Sequence, residues 1–250
     1  MRIGIDAREL CGKPTGVGRH LSGLLRAWSA DASAARHTFV LYSHEAIASP
    51  LRQAELRVIP GAPGTLWEQR ALPQSAKQDR LDVFFAPGYT APLLLEAPTV
   101  VLVHDVSFAA HPEWFRWKEG LRRRLLTRWS CEHARLVLAV SDAAQREITS
   151  HFGLPDNRVR RIYPGVISLH GGSRGQDPSN AQAGEPVVLF VGSVFNRRHI
   201  PDLIRAFKPI AKSHPDARLE IVGDNRTHPH EDLHAIAAAA GLAPRVSIRP

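Results

Sequence analysis

The stretch MRIGIDARELCGKPTGVGRHLSGLLRAW, residues 1–28, carries the pattern on which the fold turns. Met1–Asp6 is an apolar run of strand length. After it the period changes: Val17, Leu21, Leu24, Leu25 and Trp28 recur at spacings of 4, 3, 1 and 3, one face of a helix. A strand, a glycine-bearing turn and a helix together form the opening unit of an α/β sheet.

Working outward, the alternation repeats. Phe39–Ser43, Leu56–Ile59, Val83–Ala86, Thr99–His104, Leu136–Val140 and Arg160–Tyr163 read as strands, with helical patterns between them. This predicts a parallel sheet covered on both faces, a Rossmann-like domain over residues 1–167. Residues 168–186, SLHGGSRGQDPSNAQAGEP, hold four glycines, two prolines and little that is apolar, which predicts a linker. The pattern then restarts. Val187–Val191 reads as a buried strand, and Ile200, Leu203, Ile204, Phe207, Ile210 and Ala211 share one helical face. Arg218–Val222 reads as a strand, Glu231–Ala240 as a helix and Val246–Ile248 as the start of another strand. A β-α-β-α-β run is half of a doubly wound domain, so residues 187–250 are expected to be the first part of a truncated second domain.

The composition excludes several classes. At 44% apolar and 22% charged, the chain of 250 residues is neither disordered nor fibrous. It has no uncharged apolar run of about 18 residues and no signal-peptide pattern, so a cytoplasmic protein is expected. Its two cysteines, Cys11 and Cys131, have no spacing that suggests a metal or a disulfide framework. Thirteen histidines, His228 and His230 among them, form no zinc pattern, and no Asp-x-Asp occurs, so no metal site is expected. The net charge of +8, with 27 Arg and five Lys, favours anionic partners. Nucleic acid is not expected among them, because the chain lacks zinc-finger, RNP and helix-turn-helix patterns.

In such sheets ligands sit beyond the carboxyl ends of the strands. Gly16 and Gly18 immediately precede the first helix, where bare amides and the helix dipole suit a phosphate; a tight turn is the plainer reading. His104-Asp105 ends the fifth strand, where an imidazole and a carboxylate suit proton transfer or a hydroxylated ligand, or serve structure alone. Ser141-Asp142 reads as a helix N-cap, with Gln145 completing a capping box. In VVLFVGSVFNRRHIPDLIRAF, Gly192 ends a strand, Arg197 and Arg198 follow, and Pro201 sits where a helix begins. Two guanidiniums beside a helix start suit a diphosphate, or are simply a solvated pair.

Four of these features, in order, resemble the retaining glycosyltransferases of group 1 (family 4), two-domain enzymes of the GT-B fold. They are PTGVGRHLSGLL, the His-Asp of VLVHDVSF, VSDAAQREI before RIYPGV, and VGSVFNRRHIPDLIRAF. The last is similar to the corresponding segment of bacterial mannosyltransferases. The resemblance covers essentially the whole chain and implies an α/β, GT-B-like fold. It implies transfer of a hexose, mannose above others, from a nucleotide sugar such as GDP-mannose to a polysaccharide or lipid-linked acceptor, with retention and no further cofactor. It assigns His104 and Asp105 to catalysis. It assigns Gly16, Gly18, Gly192, Arg197 and Arg198 to the donor phosphates, Arg198 standing where the family usually has Lys. The family's paired glutamates would fall after residue 250, so activity of the 250 residues alone is doubtful on this reading. A non-catalytic binding module of the same fold, or a nucleotide-sugar epimerase, is the alternative.

Residues 111–129, HPEWFRWKEGLRRRLLTRW, place Trp114, Trp117, Leu121, Leu125 and Trp129 on one helical stripe among Arg116, Lys118, Arg122, Arg123, Arg124 and Arg128. A basic helix carrying tryptophans suits peripheral contact with an anionic membrane on its inner face; packing of the stripe on the parent domain is the other reading.

Overall fold

A computed structural model describes residues 1–13, 15–166 and 186–250. The linker expected at 168–186 lies outside the described residues, apart from Pro186. Two compact units form: Met1–Ala110 with Leu121–Ser168, and His111–Gly120 with Leu169–Pro250.

The first unit is built on β1 (Arg2–Asp6), β2 (Thr38–Ser43), β3 (Glu55–Val58), β4 (Val83–Ala86), β5 (Thr99–Val103), β6 (Leu136–Ala139) and β7 (Val159–Arg161). They lie in the order β3-β2-β1-β4-β5-β6-β7, and every neighbouring pair is parallel. The order reverses between β1 and β4, which opens a crevice at their carboxyl ends. The helices of this part of the chain are α1 (Gly16–Ala30), α2 (Leu72–Ala76), α3 (Ser107–Ala110), α4 (Trp117–His133) and α5 (Asp142–Phe152). The apolar face of α1 seats Leu21 and Leu25 against Ile5, Phe39, Phe85 and Leu102. Trp28 stacks on Phe39 with ring centroids 5.6 Å apart.

Two local expectations change. The N-cap of α5 is Ser141, whose Oγ accepts from the Ala144 amide at 3.1 Å. Gln145 does not close a capping box: its amide donates to the Val159 carbonyl at 2.9 Å and ties α5 to β7. The tryptophan-bearing helix starts only at Trp117, because Pro112–Trp114 forms a separate 3-10 turn. Trp114 instead stacks on His111 at 3.9 Å.

The second unit holds β8 (Val187–Val191), α6 (Ile200–Ser213), β9 (Arg218–Val222), α7 (Leu233–Ala239) and β10 (Val246–Arg249). The sheet is parallel in the order β10-β9-β8. Ile200, Ile204 and Phe207 of α6 pack with Leu219, Ile221 and Leu233. β8 is not the fully buried strand its apolar run predicts. Val188 and Phe190 face this core, while Val187, Leu189 and Val191 are exposed, because α6 and α7 cover one face of the sheet.

Candidate active site

A cleft of about 450 Å3 opens at the carboxyl ends of β1, β2 and β4. Arg8, Glu68, Tyr89, Arg122 and Thr127 are among its walls. Two larger hollows, about 620 and 610 Å3, are lined by segments entering β4, β5, β6 and β7, at the end of the sheet opposite to where α/β ligands bind.

The floor of the cleft is a buried charge group. Asp6 ends β1, and Arg8 turns back so that its guanidinium reaches Asp6 at 3.0 Å and Glu68 at 2.6 Å. The Thr90 hydroxyl donates to the same Glu68 oxygen at 2.6 Å. Two carboxylates share one cation here. Burial pushes the Asp6 carboxyl up to about 6, against the pull of Arg8. Burial disfavours the Arg8 charge, but Asp6 and Glu68 outweigh it and hold the proton on. The group is a rigid platform with Arg8 at the cleft surface.

His104 sits at the end of β5, its Nε2 3.0 Å from the Pro87 carbonyl. A carbonyl only accepts, so Nε2 carries the proton and Nδ1 offers a lone pair. Burial lowers the affinity of His104 for a second proton. His20, on the first turns of α1, meets His104 edge-on at 5.5 Å and is held neutral by burial and by its neighbour. Tyr89 also packs against His104, at 5.5 Å. Its backbone takes φ 69°, a region non-glycine residues rarely occupy, and its hydroxyl donates to Asp105 at 3.0 Å. The other Asp105 oxygen accepts the Ser107 amide and hydroxyl, so Asp105 anchors Tyr89 and starts α3.

Gly16 and Gly18 lie in the first turn of α1, beside that cluster through His20. Thr15 makes no side-chain cap; its hydroxyl donates instead to Glu9 at 3.0 Å. The first amides of α1 thus have no capping side chain, and no acidic residue lies in that turn. A Cβ at Gly16 would meet nothing within 4 Å, so packing does not require glycine there.

The remaining expected residues belong to the second unit. Gly192 adopts φ 142° after β8, and a Cβ on the adjacent Gly223 would run into the Gly192 carbonyl. Arg197 and Arg198 lie in a 3-10 turn at Asn196–Arg198 that leads into α6. The Arg197 guanidinium stacks over Phe195 at 4.5 Å, whereas Arg198 is exposed. Asn196 braces the turn, accepting from the His228 amide at 2.7 Å and donating to Glu231 at 3.2 Å.

Among the described residues, four buried side-chain polar atoms have no hydrogen-bond partner: His20 Nε2, His44 Nδ1, Thr127 Oγ1 and Glu231 Oε2. His44 and Thr127 line the cleft, and His20 touches His104. Buried polar groups are nearly always paired, so His20, His44 and Thr127 keep bonding capacity that water or a polar ligand can use. Position after a strand does not by itself point to Arg8, His20, Glu68 or Tyr89, and Arg122, expected on the basic face of its helix, lines the cleft instead. Arg8 follows β1 closely, whereas Glu68 and Arg122 reach the site from distant segments.

A parallel sheet with a crevice at its order reversal, followed by a second parallel α/β unit, is the architecture of the GT-B glycosyltransferases. Residues 14–168 match the Glycosyltransferase Family 4 model, more than half of the chain, and the chain belongs to that family. Solved structures of similar fold include WaaG, a glycosyltransferase involved in lipopolysaccharide biosynthesis, at 18% identity and TM-score 0.63, covering 99% of this chain and 69% of that one. The sucrose-phosphate synthase of Thermosynechococcus elongatus is 16% identical with TM-score 0.65, covering 99% and 69%. The lipopolysaccharide outer core galactosyltransferase WaaB is 12% identical with TM-score 0.57, covering 99% and 67%. No curated protein sequence matches the chain. Among the described residues no helix is long and apolar enough to cross a membrane.

Proposed function

We propose that the protein transfers a hexose, mannose, from a nucleotide sugar such as GDP-mannose to a polysaccharide or lipid-linked acceptor, with retention of configuration. The observation that carries this reading is the cleft at the β1/β4 reversal, where His44 and Thr127 keep buried polar atoms without partners beside a cationic rim. Those atoms suit a polyhydroxylated acceptor, which can both donate and accept. His104 accepts a hydroxyl of the transferred sugar at Nδ1. Tyr89, held by Asp105, packs against that imidazole, so Asp105 is a positioning residue. Each unit carries groups suited to stabilising charge on a leaving diphosphate: the amides at Gly16 and Gly18 in the first, and Gly192, Arg197 and Arg198 in the second. The acceptor oxygen bonds to the anomeric carbon as the bond to the phosphate oxygen breaks, on the same face, and the acceptor proton passes to the departing phosphate. No metal or further cofactor enters this reading.

Along α4, Trp117, Leu121, Leu125 and Trp129 are 72%, 38%, 47% and 52% exposed, so the apolar stripe is not spent on packing. With the arginines around it, the stripe suits peripheral contact with an anionic membrane on the cytoplasmic side, where a lipid-linked acceptor is held.

The test is transfer from GDP-mannose and from UDP-hexoses to lipid-linked and soluble acceptors, with the anomeric configuration of the product read by NMR. A retained mannosyl linkage supports the reading. Arg198→Ala removes a charged contact and should lower turnover about tenfold to a hundredfold. Undiminished activity in that variant would remove Arg198 from the donor site. Interconversion of a free nucleotide sugar without acceptor would favour an epimerase instead.

A further inference from the structure

Two side chains of the cleft, Cys11 and His44, meet a third, Glu45, in a group with a chemistry of its own; His44 is shared with the proposed acceptor site. Cys11 follows β1, and His44 and Glu45 follow β2. Asp6 and Tyr42 are register partners at the ends of those parallel strands, so residues 33 positions apart arrive side by side. The Cys11 sulfur, a His44 ring nitrogen and a Glu45 carboxylate oxygen all lie within 4.8 Å of one another. Around a tetrahedral zinc ion, ligand atoms at about 2.0–2.3 Å from the metal stand roughly 3.3–3.7 Å apart. The group therefore needs to close by about 1 Å, which the exposed Glu45 side chain can supply. A second observation points the same way. His44 Nδ1 is buried with no hydrogen-bond partner, and the ring is held nearly perpendicular to Trp67, 6.2 Å away. An imidazole held in orientation with a nitrogen that lacks a partner has capacity for one further bond.

We propose that Cys11, His44 and Glu45 form a binding site for a borderline-soft divalent cation, zinc ahead of magnesium or calcium. Thiolate and imidazole select zinc-like ions, whereas hard cations take oxygen ligands. The Cys11 thiol releases its proton to solvent as the sulfur bonds the metal. Three protein ligands leave a fourth position. Cys11 and His44 both line the cleft, so that position takes a water or an oxygen of the bound ligand. The proposal does not depend on which sugar is transferred.

The experiment is a Co2+ titration of the metal-stripped protein, followed by competition with Zn2+ and Mg2+. The expected result is one Co2+ per chain, with tetrahedral visible bands and a thiolate-to-cobalt charge-transfer band, displaced by Zn2+ and not by Mg2+. Cys11→Ser should abolish the charge-transfer band. Glu45→Gln, on an exposed side chain that folding does not require, should weaken binding by about tenfold or more. Circular dichroism and the metal-free unfolding curve verify that each variant is folded. Should Cys11→Ser fail to fold, Glu45→Gln decides. Absence of the charge-transfer band, its persistence in folded Cys11→Ser, unchanged affinity in Glu45→Gln, or equal displacement by Mg2+ would each overturn the proposal.

Discussion

Replacing Asp6 by Asn isolates the energetics of the buried group beneath the cleft. Asp6 is 3% exposed and its carboxyl is raised from an ordinary 3.8 to about 6, with burial as the largest cause. A carboxyl raised on folding contributes stability that is complete below its unfolded value. That contribution is lost as pH climbs through the folded one. A difference of about two pH units corresponds to about 3 kcal/mol. Asn cannot ionise, and it keeps an oxygen for the Arg8 amide that Asp6 accepts at 3.2 Å. Its new amide hydrogens facing the Arg8 guanidinium carry a cost that does not vary with pH. Relative to Asp6→Asn, the wild type should therefore lose about 3 kcal/mol between about pH 3.5 and about pH 7.5. Carboxyls held low by arginine, such as Asp79 and Glu55, act in the opposite direction but cancel in the difference. Urea unfolding followed by tryptophan fluorescence across that range measures it. A difference that stays flat, or that moves to favour the wild type as pH rises, refutes the reasoning.

The other members of the cleft give further expectations. Arg8→Met leaves Asp6 and Glu68 buried without their shared cation and should cost about 3–5 kcal/mol in urea unfolding; a loss under about 1 kcal/mol would mean the carboxylates are compensated elsewhere. Because burial lowers the His104 proton affinity, transferase activity should fall on acidification only below the ordinary histidine value of 6.5. A kinetic pH profile whose acid limb lies above that value would contradict a neutral His104. Leu125→Ser and Trp129→Ser, both on the exposed stripe of α4, should each weaken binding to anionic liposomes by about tenfold or more. Sedimentation with the vesicles measures this, and equal binding by both variants would assign the stripe another role.

Much of this was legible in the residues themselves. The change from strand to helical period at residues 1–28 located β1 and α1, and the later apolar runs located every strand of both sheets to within a residue or two. Where local reading failed, a tertiary partner was the reason. Val187–Val191 is uniformly apolar, but its burial depends on what covers each face of the sheet. Gln145 is spaced for a capping box, yet β7 offers its amide a carbonyl. The arginine-flanked stripe of α4 leaves open whether it packs, and the folded structure leaves Trp117, Leu121, Leu125 and Trp129 exposed.

The candidate site divides in the same way. Residues that directly follow a strand, such as His104 and Gly192, are marked by position, since α/β sheets present ligands at one end, and Gly16 is marked as the start of the first helix. The order β3-β2-β1-β4-β5-β6-β7 is not written in any single segment. That order brings Arg8 to Glu68, His20 to His104, and Cys11 to His44. The chain's own periodicity determined which elements form, because amphipathic spacing is a local property. Only the tertiary structure decided which side chains share the cleft, because those distances depend on strand order and on the residues each buried charge must find as partners.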